Sequence, residues 1–111
     1  MAYFLCNKNN DILYSETEKY VGKWINNKPI YQKCIVLNNG ADIQVYNNAW
    51  TNTGVTFPGV ETVLGCFGVA NDGSYQGDLL AYTDNDILQL LTPRNSAGWV
   101  AVVAIRYTKT S

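Results

Sequence analysis

Turn-forming residues interrupt this sequence at intervals too short for helices. They fall at Asn9-Asn10, Asn26-Asn27, Asn38-Asn39-Gly40, Asn47-Asn48, Pro58-Gly59, Asn71-Asp72-Gly73, Asp84-Asn85-Asp86 and Pro93-Arg94-Asn95. Asn, Asp and Gly tolerate the positive φ of tight turns, so each cluster marks a reversal of the chain. Between them lie runs rich in Val, Ile, Tyr, Trp and Thr: Tyr20–Ile25, Ile30–Leu37, Ile43–Tyr46, Val60–Val69, Tyr75–Thr83, Ile87–Thr92 and Trp99–Thr108. Such runs favour the pleated, half-buried environment of a sheet. The pattern predicts an all-β fold of about seven strands, a β-sandwich or jelly roll. With 111 residues the chain has room for one core, and residues 1–111 read as a single β-sandwich domain.

Two segments compete as helices. Ser15–Tyr20 opens with a Ser-Glu-Thr-Glu capping pattern, but Val21-Gly22 stops it within about one turn. Thr83–Leu91 carries acids ahead of an apolar run, yet it lacks a polar helical face and Pro93 ends it. It is read as strand.

Two runs are apolar on both faces. Counted as one strand, Trp99–Thr108 places Trp99, Ala101, Val103, Ile105 and Tyr107 on one side and Val100, Val102, Ala104, Arg106 and Thr108 on the other. Val60–Val69 places Val60, Leu64 and Cys66 opposite Val63, Phe67 and Val69. A sandwich strand ordinarily turns a polar face to solvent. These strands therefore point either to cover by the chain's own loops or to an interface between copies, and homo-oligomerisation is the expectation.

Composition removes several function classes. The net charge is −1, from 8 Lys and Arg against 9 Asp and Glu, which offers no clustered cation for a phosphate backbone or an anionic bilayer. No nucleic-acid partner and no membrane insertion are expected. The longest apolar run, Trp99–Ile105, is far short of the about 20 residues a bilayer span needs, and Met1-Ala2 leads into no signal-peptide pattern. Histidine is absent, which removes the commonest general base and the usual partner of a Ser or Cys nucleophile. Cys6, Cys34 and Cys66 are odd in number and widely spaced, so they read as free thiols that pack as small hydrophobes.

Candidate ligand contacts come from loops that mix aromatic and amide groups. An aromatic ring stacks on the apolar face of a pyranose, while planar amides and carboxylates bond its hydroxyls. Tyr46, Asn47, Asn48 and Trp50 supply that mixture in one loop. Asn71, Asp72 and Tyr75 supply it in a second, and Arg94 with Asn95 adds a turn suited to an acidic group. The bland alternative is that Trp50 plugs the end of the sandwich and the asparagines merely turn the chain. Asp72, Ser74 and Asp78, or Asp84 and Asp86, offer oxygen ligands but match no complete calcium loop, so no metal and no cofactor are expected. Two carboxylates at catalytic spacing would suit glycoside hydrolysis, but Glu61 is the one acid inside a strongly apolar strand, where burial could raise its pKa, and a lone acid in a strand is far more often solvent-facing. The chain is not expected to be an enzyme.

Two segments carry a resemblance. Tyr14-Ser15-Glu16-Thr17-Glu18, Val21-Gly22-Lys23-Trp24, Lys28-Pro29-Ile30-Tyr31 and the closing Ile105-Arg106-Tyr107-Thr108-Lys109-Thr110 are similar to segments of the C-terminal head or tip domains of phage and prophage tail-fibre, receptor-binding proteins. The segments cover about a quarter of the chain, and residues 38–96 match no pattern. Asn26-Asn27 stands where such proteins usually have Asp-Gly, and both positions suit a type I′ turn; Cys34 stands where Thr is common. Trp24, Pro29 and Tyr31 are read as scaffold. The resemblance implies a homotrimeric tip on the virion tail, acting outside the cell, with residues 1–14 as a candidate connection to a stalk. Combined with the loops above, it gives the expectation of a non-catalytic domain that adsorbs to bacterial surface carbohydrate. The alternative is a structural module that assembles fibre or virion without a ligand.

Overall fold

The structure, a computed structural model, describes residues 14–110. Of these, 59% are strand and none lies in an α-helix, so the all-β, sandwich-like fold is as the sequence predicts. The strands are β1 (Lys19–Lys23), β2 (Pro29–Val36), β3 (Ile43–Val45), β4 (Thr51–Thr56), β5 (Val60–Val69), β6 (Tyr75–Asp78), β7 (Leu80–Asp84), β8 (Ile87–Leu91), β9 (Gly98–Val100) and β10 (Val102–Lys109). They form a five-stranded antiparallel sheet in the order β1-β2-β10-β5-β6, a three-stranded sheet β4-β8-β7 and a two-stranded ladder β3-β9. Ten strands appear where about seven were expected because two runs break and Thr51–Thr56 was missed. The expectation for Cys6 lies outside the described residues.

The breaks occur where the chain passes from one sheet to another, a corner that demands a bend. Leu79 separates β6 from β7, and its N–H donates to the Cys66 carbonyl at 2.9 Å. Ala101 separates β9 from β10 and is buried, donating to the Val69 carbonyl at 2.9 Å and accepting from Leu37 N–H at 2.7 Å. One residue out of line reverses the alternation on its far side. Val100 and Val103 therefore both reach zero exposure in the core, while Trp99 turns outward at 52% exposure. This corrects the single-strand reading of Trp99–Thr108, which put Trp99 beside Val103.

β5 departs from simple alternation too. Against β10, Arg106 pairs with Gly65 and Tyr107 with Val63, so Leu64 is an extra residue; Thr108 pairs with Thr62 and Lys109 with Val60, so Glu61 is another. These β-bulges place Val60, Val63 and Cys66 together against the core, although they are spaced by three. The expected division of this strand is corrected accordingly, with Val63 on the Cys66 side and Leu64 displaced from it.

Turn chemistry explains the hairpins. Asn85 and Asp86 have φ of 51° and 65°, the two left-handed residues of a type I′ turn, so Thr83–Leu91 is a hairpin and not a helix. At Asn26-Asn27 only Asn27 is left-handed, with φ 70°; its N–H donates to the Trp24 carbonyl at 2.8 Å and the loop closes through Trp24 N–H to the Lys28 carbonyl at 2.9 Å. The expected two-residue I′ turn is therefore a longer loop with a single left-handed residue.

The core joins Ile35, Leu37, Val45, Phe57, Cys66, Leu79, Leu88, Leu90, Val100, Val103, Ile105 and Tyr107. Cys66 is a free thiol whose pKa burial pushes up to about 12, with Asp78 adding to the rise. Cys34 is also free but only half-buried. At one end of the sandwich Glu18 accepts a hydrogen bond from Tyr107 Oη and another from Lys109 Nζ at 2.9 Å. Burial alone would raise Glu18, but these bonds outweigh it and hold the carboxyl below its ordinary 4.5.

Two outcomes follow from this packing. A Cβ on Gly68 would lie 2.9 Å from both Leu79 Cδ1 and Val100 Cγ1, so Gly68→Ala is expected to destabilise the protein by about 1–3 kcal/mol in urea unfolding. The Glu18 carboxylate has a lowered folded pKa, so its contribution is complete above pH 4.5 and disappears as pH falls through the lowered value. Thermal melts of Glu18→Gln should accordingly lie below wild type at pH 7 and converge with it in acid; parallel curves would contradict a stabilising role for the Glu18 carboxylate.

Candidate functional site

The outward face of the three-stranded sheet carries a polar and aromatic row. On β7, β8 and β4, Tyr82 stands opposite Gln89, and Gln89 opposite Asn52. Trp50, just before β4, meets the Tyr82 ring edge to face, with centroids 4.5 Å apart and planes at 73°. Trp50 is 44% exposed and Tyr82 39%, so the pair neither fills the core nor stands free of it. The reading of Trp50 as a plug buried in the sandwich end does not hold.

Beside the pair is a shallow depression of about 660 Å³, lined by Trp50, Leu64, Asp78, Leu80 and Tyr82 among others. The bulge in β5 puts Leu64 there, and the break at Leu79 leaves Leu80 half-exposed. Asp78 supplies a carboxylate, which accepts from Tyr75 Oη at 3.2 Å. Desolvation and the neighbouring Asp78 charge both push the Tyr75 phenol up, so it stays neutral and able to donate. Gln89 is 7% exposed and donates to the Ile87 carbonyl at 3.4 Å. Apolar floor, aromatic walls and the Asp78 carboxylate suit a ligand with one apolar face and hydroxyls at its edge.

The other expected residues divide. Asn47 Nδ2 donates to the Asn95 carbonyl at 3.0 Å, which joins the two loops, and Asn48 is exposed beside it. Asn71 N–H donates to Asp42 Oδ1 at 2.7 Å. Asp72 Oδ1 accepts from Ser74 Oγ at 2.6 Å and Ser74 N–H at 2.9 Å, and these bonds hold its carboxyl below the usual range. From there a chain runs through Ser74 Oγ and Gln76 to Arg94, whose Nη2 donates to Gln76 Oε1 at 3.3 Å. Tyr75 packs near Phe67 with centroids 6.0 Å apart, and its bond to Asp78 brings it to the edge of the depression. Tyr46 bonds Gln44 instead of joining Trp50.

Glu61 is not a poised acid. It accepts from Lys28 Nζ at 2.7 Å and Thr108 Oγ1 at 3.2 Å, and the Lys28 bond foremost holds its carboxyl down. Among the described residues no group of three or more His, Cys, Asp or Glu side chains could hold a metal. Sequence reasoning missed Tyr82, Leu64, Leu80 and Gln44 as surface-forming residues. Tyr82 had a signal, since it alternates with Ala81 and Thr83 in a short hairpin; Leu64 had none, because a bulge leaves no periodic mark.

No family model, no curated protein and no solved structure matches this chain. The fold and site therefore stand on their own geometry.

Arg94 owes its seat to a glycine. A Cβ on Gly98 would lie 2.6 Å from Arg94 Nη2 and 3.1 Å from Gln76 Oε1. Gly98→Ala should cost less than Gly68→Ala in urea unfolding, because the end of a flexible arginine can move where packed methyls cannot. Equal costs would show that the guanidinium is held rigidly.

Proposed function

We propose that this chain is a non-catalytic carbohydrate-binding module, the receptor-binding tip of a phage or prophage tail fibre, acting as a homotrimer on bacterial surface glycan. The observation that carries the binding reading is the half-exposed Trp50–Tyr82 pair over a shallow depression edged by Asp78. An aromatic pair of this kind ordinarily enters the core; held at the surface, it offers its faces to the C–H side of a sugar ring. Neutral hydroxyls then reach Asp78.

The fibre reading rests on the resembling end segments, and their arrangement is consistent with a shared scaffold. Tyr31 pairs with Tyr107, Gln32 with Arg106 and Lys33 with Ile105 across β2 and β10, and Glu18 ties both segments together. The homotrimer draws support from the outer face of the five-stranded sheet. Cys34, Phe67, Val69, Val102 and Ala104 line an apolar depression of about 360 Å³ there, edged by Tyr14, and the neighbouring Val36 is 38% exposed. A second copy covering this face would remove that surface from water. Three weak sites on one axis would then bind by avidity.

Binding of the intact chain to an array of bacterial polysaccharides tests the first part. At least one neutral glycan is expected to bind, with Trp50→Ala and Tyr82→Ala each weakening it about tenfold or more, the order of one aromatic contact; no binding, or binding indifferent to both changes, contradicts the reading. Light scattering tests the second part. The expected particle contains three chains of 12.4 kDa, and Val102→Asp should give single chains with unchanged circular dichroism, whereas a wild-type monomer removes the avidity mechanism.

A further inference from the structure

The β3–β9 ladder has an inner and an outer face. Ile43, Val45 and Val100 point to the core. On the outer face Gln44 stands directly opposite Trp99. Tyr46, two residues beyond Gln44, donates from Oη to Gln44 Oε1 at 3.2 Å. Trp99 is 52% exposed and Tyr46 44%, with the half-buried Gln44 carboxamide adjoining both.

That hydrogen bond decides what the surface can recognise. It takes one lone pair of the Gln44 carbonyl oxygen and orients the amide, so the two Nε2 hydrogens, which meet no acceptor among the described residues, are the donors the surface presents. A ligand that suits this surface brings a carbonyl acceptor and an apolar patch close together. A sugar hydroxyl oxygen also accepts from Nε2, but it is the weaker acceptor and carries no apolar group of its own. An acetamido substituent supplies both at once, its oxygen for Gln44 Nε2 and its methyl, with the pyranose face, for the Trp99 indole.

We infer that Trp99, Gln44 and Tyr46 form a second saccharide site, on a different ladder from Trp50 and Tyr82, with a preference for 2-acetamido sugars. This deepens the carbohydrate reading above and rests on it. Trp99 provides the stacking plane, Gln44 the donor and Tyr46 the bond that aims it. The backbone of the same strand is independently anchored, because Trp99 N–H donates to Gln76 Oε1 at 3.4 Å. The indole is thereby placed without using its own face.

Two single-tryptophan proteins separate the sites. Trp24→Phe with Trp50→Phe leaves Trp99 as the reporter, and Trp24→Phe with Trp99→Phe leaves Trp50. Each is titrated with triacetylchitotriose and with cellotriose, which share a backbone linkage and differ in the acetamido group, while indole emission is followed. The Trp99 reporter should respond saturably to triacetylchitotriose and bind cellotriose about tenfold more weakly or less. Gln44→Glu, which still accepts from Tyr46 but has lost the donor, should abolish that preference. The inference is overturned by an equal response to both sugars, by a preference that survives Gln44→Glu, or by a silent Trp99 reporter. A silent Trp99 with a responsive Trp50 overturns the second site and leaves the carbohydrate reading standing; silence from both reporters toward either sugar counts against both.

Discussion

Side chains on a β-strand alternate between its faces without slack, so a chain that must bury one face and present the other depends on where that alternation is broken. Here the deciding break is Ala101. It lies between β9 and β10, bonded on both sides to the five-stranded sheet and its flank through Val69 and Leu37. Its bend lets Val100 and Val103 share the core and turns Trp99 outward. Gly68 fits beneath this corner because a side chain there would strike Val100 and Leu79. The corner and the glycine are a single packing solution. The two bulges in β5 do the same work more quietly, gathering Val60, Val63 and Cys66 inward and releasing Leu64 to the surface.

A second constraint holds the ends of the described chain together. Tyr107 is almost wholly buried, so its hydroxyl needs a partner, and Glu18 provides one while also receiving Lys109. Burial raises the phenol's pKa and the neighbouring carboxylate raises it further, which keeps Tyr107 a donor. Phe57 closes against the Tyr107 ring at 4.8 Å, edge to face. The early segment and the last strand thus form one unit, and residues 38–96 add β5 and β6 to the same sheet together with loops and most strands of the smaller sheets.

Legibility in the sequence followed this physics. The all-β class and most strand positions were readable because Asn, Asp and Gly turns separate Val-, Ile- and Tyr-rich runs, and the Asn85-Asp86 hairpin is the clearest instance. What could not be read were one-residue events. Nothing in Trp99-Val100-Ala101-Val102-Val103 announces a bend, since every residue there suits a buried strand, and nothing in Val63-Leu64-Gly65 announces a bulge. Among the expected ligand contacts, Trp50 is at the surface, Asn47 and Asn95 bond each other's loops, and Arg94 reaches Asp72 through Gln76 and Ser74. Tyr46 went to Gln44 and Tyr75 to Asp78, because the faces they occupy are set by strand pairing that only the folded sheets define. Gln44 carried no sequence signal of its own; its place opposite Trp99 exists only after the ladder forms.

Both proposed sugar-facing surfaces are therefore products of broken alternation, Leu64 and Leu80 at one and Trp99 at the other. The most direct measurement of this claim is acrylamide quenching of Trp99 fluorescence in a protein carrying Trp24→Phe and Trp50→Phe. With the bend at Ala101, Trp99 is 52% exposed and should be quenched far more readily than a core indole, with emission shifted to the red. A blue-shifted, protected Trp99 would mean that residues 98–108 run as one unbroken strand with the indole in the core, contrary to a bend at Ala101.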